Sequence, residues 1–478
     1  MALAAVRGSW TVRLDLADIQ GLVARGYSGL RHARFTLFAA GDPAVARTLL
    51  ARLLPQVTPA GTFTADTAMQ IAFTAGGLRQ LGLPDRAVAG FSLEFTEGMA
   101  TASRSRFLGD EQESGPGGWA WGGPNGPAVD GLILLYASRA DLLDARQAEL
   151  GRQLADAGAR TVAALDTLER LDREPFGFRD GVSQPLIEGL PKAAGRASAV
   201  AAGEFVLGYP DGYGQLTDRP LLPRAEDPGR LLPPDPAGSG AADLGRNGTY
   251  LVLRQLDQDV SRFWRYVTEA TRGRDGSDDP AARDLLAAKL VGRWPSGAPL
   301  VKAPDRDNPA LGLDNDFRYH GPDPLGLACP LGAHIRRANP RDSLDPQPGT
   351  DASLKINSLH RLLRRGRSYG PAAGGGPTGL YFICLAASLA RQFEFVQHSW
   401  LGDPNFNGLY DDADPLTGYR PSRGRTFTAP ARPVRRRYHG LPQFVRTRGG
   451  AYFFLPGLGA LRYLAQLPGP AISRPRTG

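Results

Sequence analysis

Three short segments gather the residue types that could do chemistry: EPFGFRDGVSQP (174–185), CPLGAHIRRANPRD (329–342) and RLLRRGRSYG (361–370). In the first, Asp180 stands in a G-x-x-D-G with Gly177 and Gly181. A carboxyl there could act as a positioned acid or base, and the glycines let the backbone bend tightly. An Asp-Gly pair is equally a common turn former. The second segment carries His334, an imidazole able to ligate a metal, with Arg336, Arg337 and Arg341 just beyond it. The third carries Arg364 beside Arg365, guanidinium groups suited to fixed pairing with anions. The two cysteines, Cys329 and Cys384, match no zinc or redox spacing, which excludes a disulfide framework as the basis of stability.

The elements that must position these residues read as strands alternating with helices. A strand over 33–40 leads to a helix starting near Asp42, and 67–83 reads as a strand and a short helix. A buried strand over 130–138 is followed by an amphipathic helix over 139–158. The segment 159–172 closes the first set. The second half repeats the rhythm: a strand at 248–256 and a helix after it, a strand at 379–387, a helix at 388–401 and a last strand at 451–458. In the 388–401 helix, Leu389, Phe393, Val396 and Trp400 form one apolar face. The mixed rhythm predicts α+β layers, twice over, with no internal sequence similarity. The expected organisation is an N-terminal half over 1–195, a Gly/Pro-rich connection over 196–247 holding one short strand, EFVLGYP, and a C-terminal half over 248–478. A second loop-like zone covers 303–350.

Bulk composition narrows the class. The chain has 478 residues, 42% hydrophobic and 22% charged, a normal globular balance with room for two cores. No run approaches the ~18 apolar residues of a membrane span, and no secretory core is visible at the start, so the expectation is a cytoplasmic protein with no membrane partner. The net charge of +8 is almost wholly arginine, since lysine occurs only at Lys192, Lys289, Lys302 and Lys355. These basic residues are dispersed rather than striped, which argues against nucleic acid. The exception is Tyr419–Gly449, with nine arginines and no acid, either a solvated surface or an anion-facing segment.

The three segments resemble the dye-decolourising peroxidase family. So do DIQGLVARGYSGLRHA (18–33), NGTYLVLRQLDQDV (247–260), the stretch 379–412 and GGAYFFLPGLGALR (449–462), in the family's order and over nearly the whole chain. The longer loops and the RRGRSYG wording are closer to its larger subfamilies. The resemblance implies two ferredoxin-like halves forming a dimeric α+β barrel-type fold, with one haem b per chain held mainly by the second half. It implies peroxidase activity, in which hydrogen peroxide drives oxidation of dyes, phenols or other aromatic reductants through a ferryl intermediate.

The same resemblance implies residue roles. His334 matches the axial ligand through its His-Ile-Arg-Arg context, which His32, His320, His360, His398 and His439 lack. Asp180 matches the distal proton shuttle and Arg364 the distal arginine, with Arg365 as its neighbouring rival. Arg341 first, then Arg336 and Arg337, are candidates for the haem propionates. Leu380 and Phe382 alternate on one strand face and could wall the iron pocket, a pattern that a plain core strand shares. Acidic pH should favour an aspartate shuttle, but burial raises its pKa and Arg364 lowers it, and the sequence leaves that balance undecided. Trp119, Trp121, Trp264 and Trp400 are conceivable electron relays or ordinary packing. The alternatives are a haem-handling or iron-release protein on the same fold, which would need Asp180 and Arg364 much less, and a non-catalytic binding protein. The natural reductant stays open, as does whether the chain forms a homo-oligomer.

Overall fold

The computed structural model describes residues 13–169, 172–194, 196, 198–371, 376–418 and 425–467. Its centre is one antiparallel sheet built from two sets of strands. The first set is β1 (His32–Ala39), β2 (Thr67–Phe73), β3 (Gly131–Ala137) and β4 (Arg160–Asp166). The second is β5 (Thr249–Gln258), β6 (Leu363–Arg364), β7 (Arg367–Tyr369), β8 (Gly379–Ala386) and β9 (Val445–Leu455). The spatial order is β6-β8-β5-β9-β2-β3-β1-β4, with β7 also paired to β8. Each set therefore lays its first strand between its penultimate and last, as in a ferredoxin-like module. The modules join where Phe454 of β9 opposes Phe73 of β2. At the far edges the Leu168 N–H, just past β4, donates to the Ser368 carbonyl of β7 at 2.8 Å, so the sheet curls back on itself into a barrel.

Strand periodicity sorts side chains to two sides of that barrel. Leu132, Leu134 and Tyr136 of β3 pack inside with Leu251, Leu253, Ile383 and Phe453. Ile133, Leu135 and Ala137 face outward, beneath α1 (Pro43–Leu53) and α2 (Ala140–Ala157). Asp42 caps α1 by accepting the Ala44 and Val45 N–H groups, a contact typically of about 1 kcal/mol. On the second module, α3 (Val260–Thr271) and α4 (Pro280–Val291) pack through Phe263, Val267 and Leu290.

Two local expectations change. EFVLGYP is not a strand: Ala202–Glu204 forms a 3-10 turn, and Gly208 (φ +81°) and Pro210 break any extension. Its Phe205, Val206 and Leu207 are fully buried, each typically a gain of about 1.5–3 kcal/mol. The 388–401 helix forms, but Ala390–Glu394 and Val396–Leu401 wind with wide π-type turns, and all four residues of the apolar face are buried. Among the described residues no helix is long and apolar enough to cross a membrane.

Candidate active site

A cavity of about 290 Å³ lies on the outer face of the second module. Its roof is sheet: Arg254, Leu256 and Gln258 of β5, Leu380 and Phe382 of β8, and Val445 and Thr447 of β9 line it. Alternation explains the choice, because Tyr381 and Ile383 point the other way into the barrel. Below stand Val291 at the end of α4, and His334, Ile335 and Ala338 of α5 (His334–Ala338).

Asp180 reaches the cavity on a loop that the sequence folds tightly. Gly177 (φ +99°) and Gly181 (φ +81°) take backbone angles that side-chain-bearing residues rarely adopt. Phe176 and Phe178 anchor the loop in the cluster around Phe263. Arg364 ends the short strand β6, opposite Cys384 of β8, and its N–H donates to Gln184 Oε1 at 3.0 Å. Its Nη1 donates to Asp180 Oδ1 at 2.7 Å, joining residues 184 positions apart. Burial raises the Asp180 carboxyl. The Arg364 charge and hydrogen bond outweigh it, with the Gly181 N–H and His334 adding, and the net direction is down. Arg365, the rival, turns away to the Leu22 and Val23 carbonyls.

His334 presents its ring to the same cavity, and its Nδ1 lies 2.9 Å from Asp414 Oδ2. The other oxygen of Asp414 accepts from the Leu416 and Thr417 N–H groups and from the Thr417 hydroxyl, so the carboxylate is rigidly held. An Nδ1–H donated to Asp414 leaves Nε2 as the free lone pair, the arrangement that orients a metal-ligating histidine. Burial lowers the imidazole pKa, but the Asp414 charge and hydrogen bond raise it further, and the net direction is up. Asp414 itself is held at about 2: burial raises it, and His334 and Arg337 overcome that.

The arginines separate by environment. Arg341 lines the cavity, its guanidinium donating to Asn315 and Phe317 and lying 3.7 Å from the Phe317 ring centre. Arg336 does not reach the cavity: its guanidinium is buried against Asp323 (3.0 Å) and the Cys329 carbonyl. Arg337 is likewise turned to the Trp400 and Asp412 carbonyls. Arg361 lines the cavity instead, with no hydrogen bond or ion pair for its guanidinium among the described residues. Burial, then the charges of Arg341 and Arg364, push it down to about 10. Arg361 thus feels two further guanidiniums that line the same cavity, and such a concentration of positive charge fits an anionic group there.

A larger cavity of about 730 Å³ shares Glu174, Asp180, Gly181, Arg364 and Leu380 with the first, so the Asp180–Arg364 pair forms part of the wall between them. Trp119, Trp121 and Trp400 are buried and Trp264 is half-buried. Of the arginine-rich stretch, 419–424 lies outside the described residues. Over 425–449 the cavity is lined by Gln443, Val445 and Thr447 and by no arginine, while Arg432, Arg435, Arg436 and Arg437 are exposed.

Asp414 and Arg361 were not identified from the sequence. Arg361 opens the segment that carries Arg364, and Asp414 closes the acid-rich run DDAD (411–414), so each stood beside a recognised segment without a signal of its own.

No family model matches the chain. It is 30% identical over 480 residues to a dye-decolorizing peroxidase of Exidia glandulosa, covering 94% of this chain and 86% of that protein. The solved structure of an ancestral D-type dye-decolorizing peroxidase matches with a TM-score of 0.76 at 27% identity, covering 94% of this chain and 99% of the other. A dye-decolorizing peroxidase in complex with 2,6-dimethoxyphenol matches with a TM-score of 0.76 at 25% identity, covering 95% and 100%.

Proposed function

The chain belongs to the dye-decolorizing peroxidase family and is a haem peroxidase, and from that premise we propose that it holds one haem b on His334 and works peroxide with Asp180 and Arg364. The observation that carries this assignment is the 2.7 Å Asp180–Arg364 pair, which lines the same cavity as a histidine whose Nδ1 is tied to a carboxylate. Haem, when bound, supplies the iron that takes oxidising equivalents from peroxide and passes them to a reductant.

The residues divide the remaining work. His334 Nε2 is the donor atom, and Asp414 fixes its tautomer and raises its basicity. Arg361 and Arg341 meet the propionates, with Arg361 supplying a guanidinium that has no partner among the described residues. Asp180, ionised because Arg364 holds its carboxyl down, accepts a proton from one peroxide oxygen and returns it to the departing one. Arg364 stabilises the negative charge that develops on the departing oxygen. Leu256, Leu380 and Phe382 keep bulk water from the reacting atoms. The reductants are dyes and phenols, of the class of the 2,6-dimethoxyphenol that a similar dye-decolorizing peroxidase binds.

An iron-release role on this fold would leave the Asp180–Arg364 pair without a task. Reconstitution tests the assignment directly. Haem-loaded protein should show a Soret band at one haem per chain and oxidise 2,6-dimethoxyphenol only when peroxide is added. A chain that takes up haem but yields free iron and no oxidised phenol would overturn it.

A further inference from the structure

The loop that carries Asp180 is closed by a side chain to which the reaction as described gives no part. Glu174 accepts the Phe176 N–H at 3.0 Å on Oε2 and the Phe178 N–H at 2.9 Å on Oε1. The backbone is tied at the same place, Glu174 N–H to the Phe178 carbonyl at 2.9 Å and Gly177 N–H to the Glu174 carbonyl at 2.8 Å. A third donor comes from the other module: Gln258 Nε2, at the last residue of β5, meets Oε2 at 2.7 Å. Gln258 is itself pinned, its N–H donating to the Thr378 carbonyl at 2.8 Å. Glu174 lines both cavities, at the wall where Asp180 and Arg364 meet.

No basic side chain among the described residues contacts this carboxylate. The adjacent Arg173 sends its guanidinium to the Gly177 and Pro295 carbonyls. A carboxylate with three neutral donors and no cation is a poor choice for stability alone, since burial and the charge of Asp180 both work against its ionisation. Its geometric effect is specific. It fixes the turn around Gly177, three residues before Asp180, and clips that turn to the module that supplies Arg364.

We propose that Glu174 is the positioning residue of the distal site, a clip between the Asp180 loop and β5 that sets the register in which Asp180 meets Arg364. The inference rests on the proposed roles of Asp180 and Arg364 and extends them. The clip acts through the loop and touches no peroxide. Losing it lets Asp180 drift from the guanidinium, and small misplacements of a reacting group cost on the order of a hundredfold in rate.

The test uses haem-loaded protein with Glu174→Gln, Glu174→Asp and, from the other side of the clip, Gln258→Leu. Hydrogen exchange at the Phe176 and Phe178 amides reads the clip without any turnover. Both amides should exchange at least about tenfold faster in Glu174→Gln than in the parent. Stopped-flow mixing with peroxide should give a rate roughly 10- to 100-fold lower, and the acidic limb of its pH profile should move upward as Asp180 loses Arg364. General destabilisation would slow the reaction without moving that limb. Glu174→Asp should recover part of the rate, and Gln258→Leu should repeat the loss in milder form. Adding Glu174→Gln to Asp180→Asn should cost nothing further, because both act on one proton transfer.

An unchanged limb, or losses that multiply in the double variant, would overturn the proposal. Parent-like exchange at Phe176 and Phe178 in Glu174→Gln would overturn the clip itself. If Asp180→Asn alone reacted like the parent, the role of Asp180 would fall and the positioning role with it, whereas the exchange rates would still report the clip.

Discussion

Two charged side chains on one hydrogen bond divide the distal chemistry unequally. Arg364 offers a fixed positive charge for which water is no substitute, and one such donor is typically worth ~10²–10³ in rate. Asp180 moves a proton, a role worth ~10²–10⁴ that water in an open pocket partly replaces. Arg364→Leu should therefore slow the peroxide reaction at every pH, while Asp180→Asn keeps a residue of activity; stopped-flow mixing followed at the Soret band separates them. If Arg364→Leu reacts as fast as the parent, the distal arginine is misassigned. The pH dependence follows from the same contact. A carboxyl whose folded-state pKa is depressed stays ionised above its ordinary value and loses its charge only as pH falls through the lower one. The acidic limb of the parent should thus lie below the usual carboxylate range, and Arg364→Leu should move it upward in the same rate measurement.

At the scale of elements, the site depends on where short pieces of backbone are forced to turn. A Cβ at Gly177 would meet nothing within 4 Å, so Gly177→Ala tests the backbone alone. With φ at +99° the substitution should cost about 1–2 kcal/mol and displace the loop ahead of Asp180. Thermal unfolding reads the first effect and the peroxide rate the second. On the opposite wall, α5 is only five residues long, and its His334 owes its orientation to Asp414, 80 positions away. Asp414 is held at about 2, so its contribution to stability is present above about pH 4 and is lost as pH falls toward 2. Asp414→Asn should have lost that contribution already at neutral pH, and acid unfolding curves of the two proteins should converge below pH 2. The same variant should bind haem about 10- to 100-fold more weakly, as measured by haem titration.

Across the whole molecule, the cavity is shared between modules. The Asp180 loop follows the first set of strands, and His334, Arg361, Arg364 and the sheet roof come from the second part of the chain. Haem bound there contacts the folded state alone, so it should raise stability by about 4 kcal/mol when present at a thousand times its dissociation constant. In scanning calorimetry the haem-loaded parent should melt well above the haem-free chain. His334→Ala should melt at the haem-free temperature and show no Soret band after gel filtration. Retention of haem by that variant with an unchanged spectrum would move the ligand assignment to another histidine.

Local pattern by itself determined a good deal. Apolar runs located six strands of the sheet, five to within about two residues, while β9 begins six residues before the expected start and β4, β6 and β7 gave no strand signal of their own. The family resemblance around Asp180, His334 and Arg364 picked out three groups that the fold then brings to one cavity. Alternation along β8 put Leu380 and Phe382 on one face, yet both faces are apolar, so only packing decided which face meets the cavity. The EFVLGYP run has the composition of a strand, and the path imposed by Gly208 and Pro210 made it a buried plug. Among four arginines of similar local setting, Arg336 and Arg337 were drawn to Asp323 and to distant carbonyls, while Arg341 and Arg361 were left to the cavity. The balance between burial and Arg364 at Asp180 was likewise settled by a 2.7 Å contact. Desolvation and Coulomb forces depend on distances in space, and sequence neighbours carry no record of which distant charge will stand nearby. Residue type and periodicity are local and can be read along the chain; pairing is non-local and exists only once the chain has closed on itself.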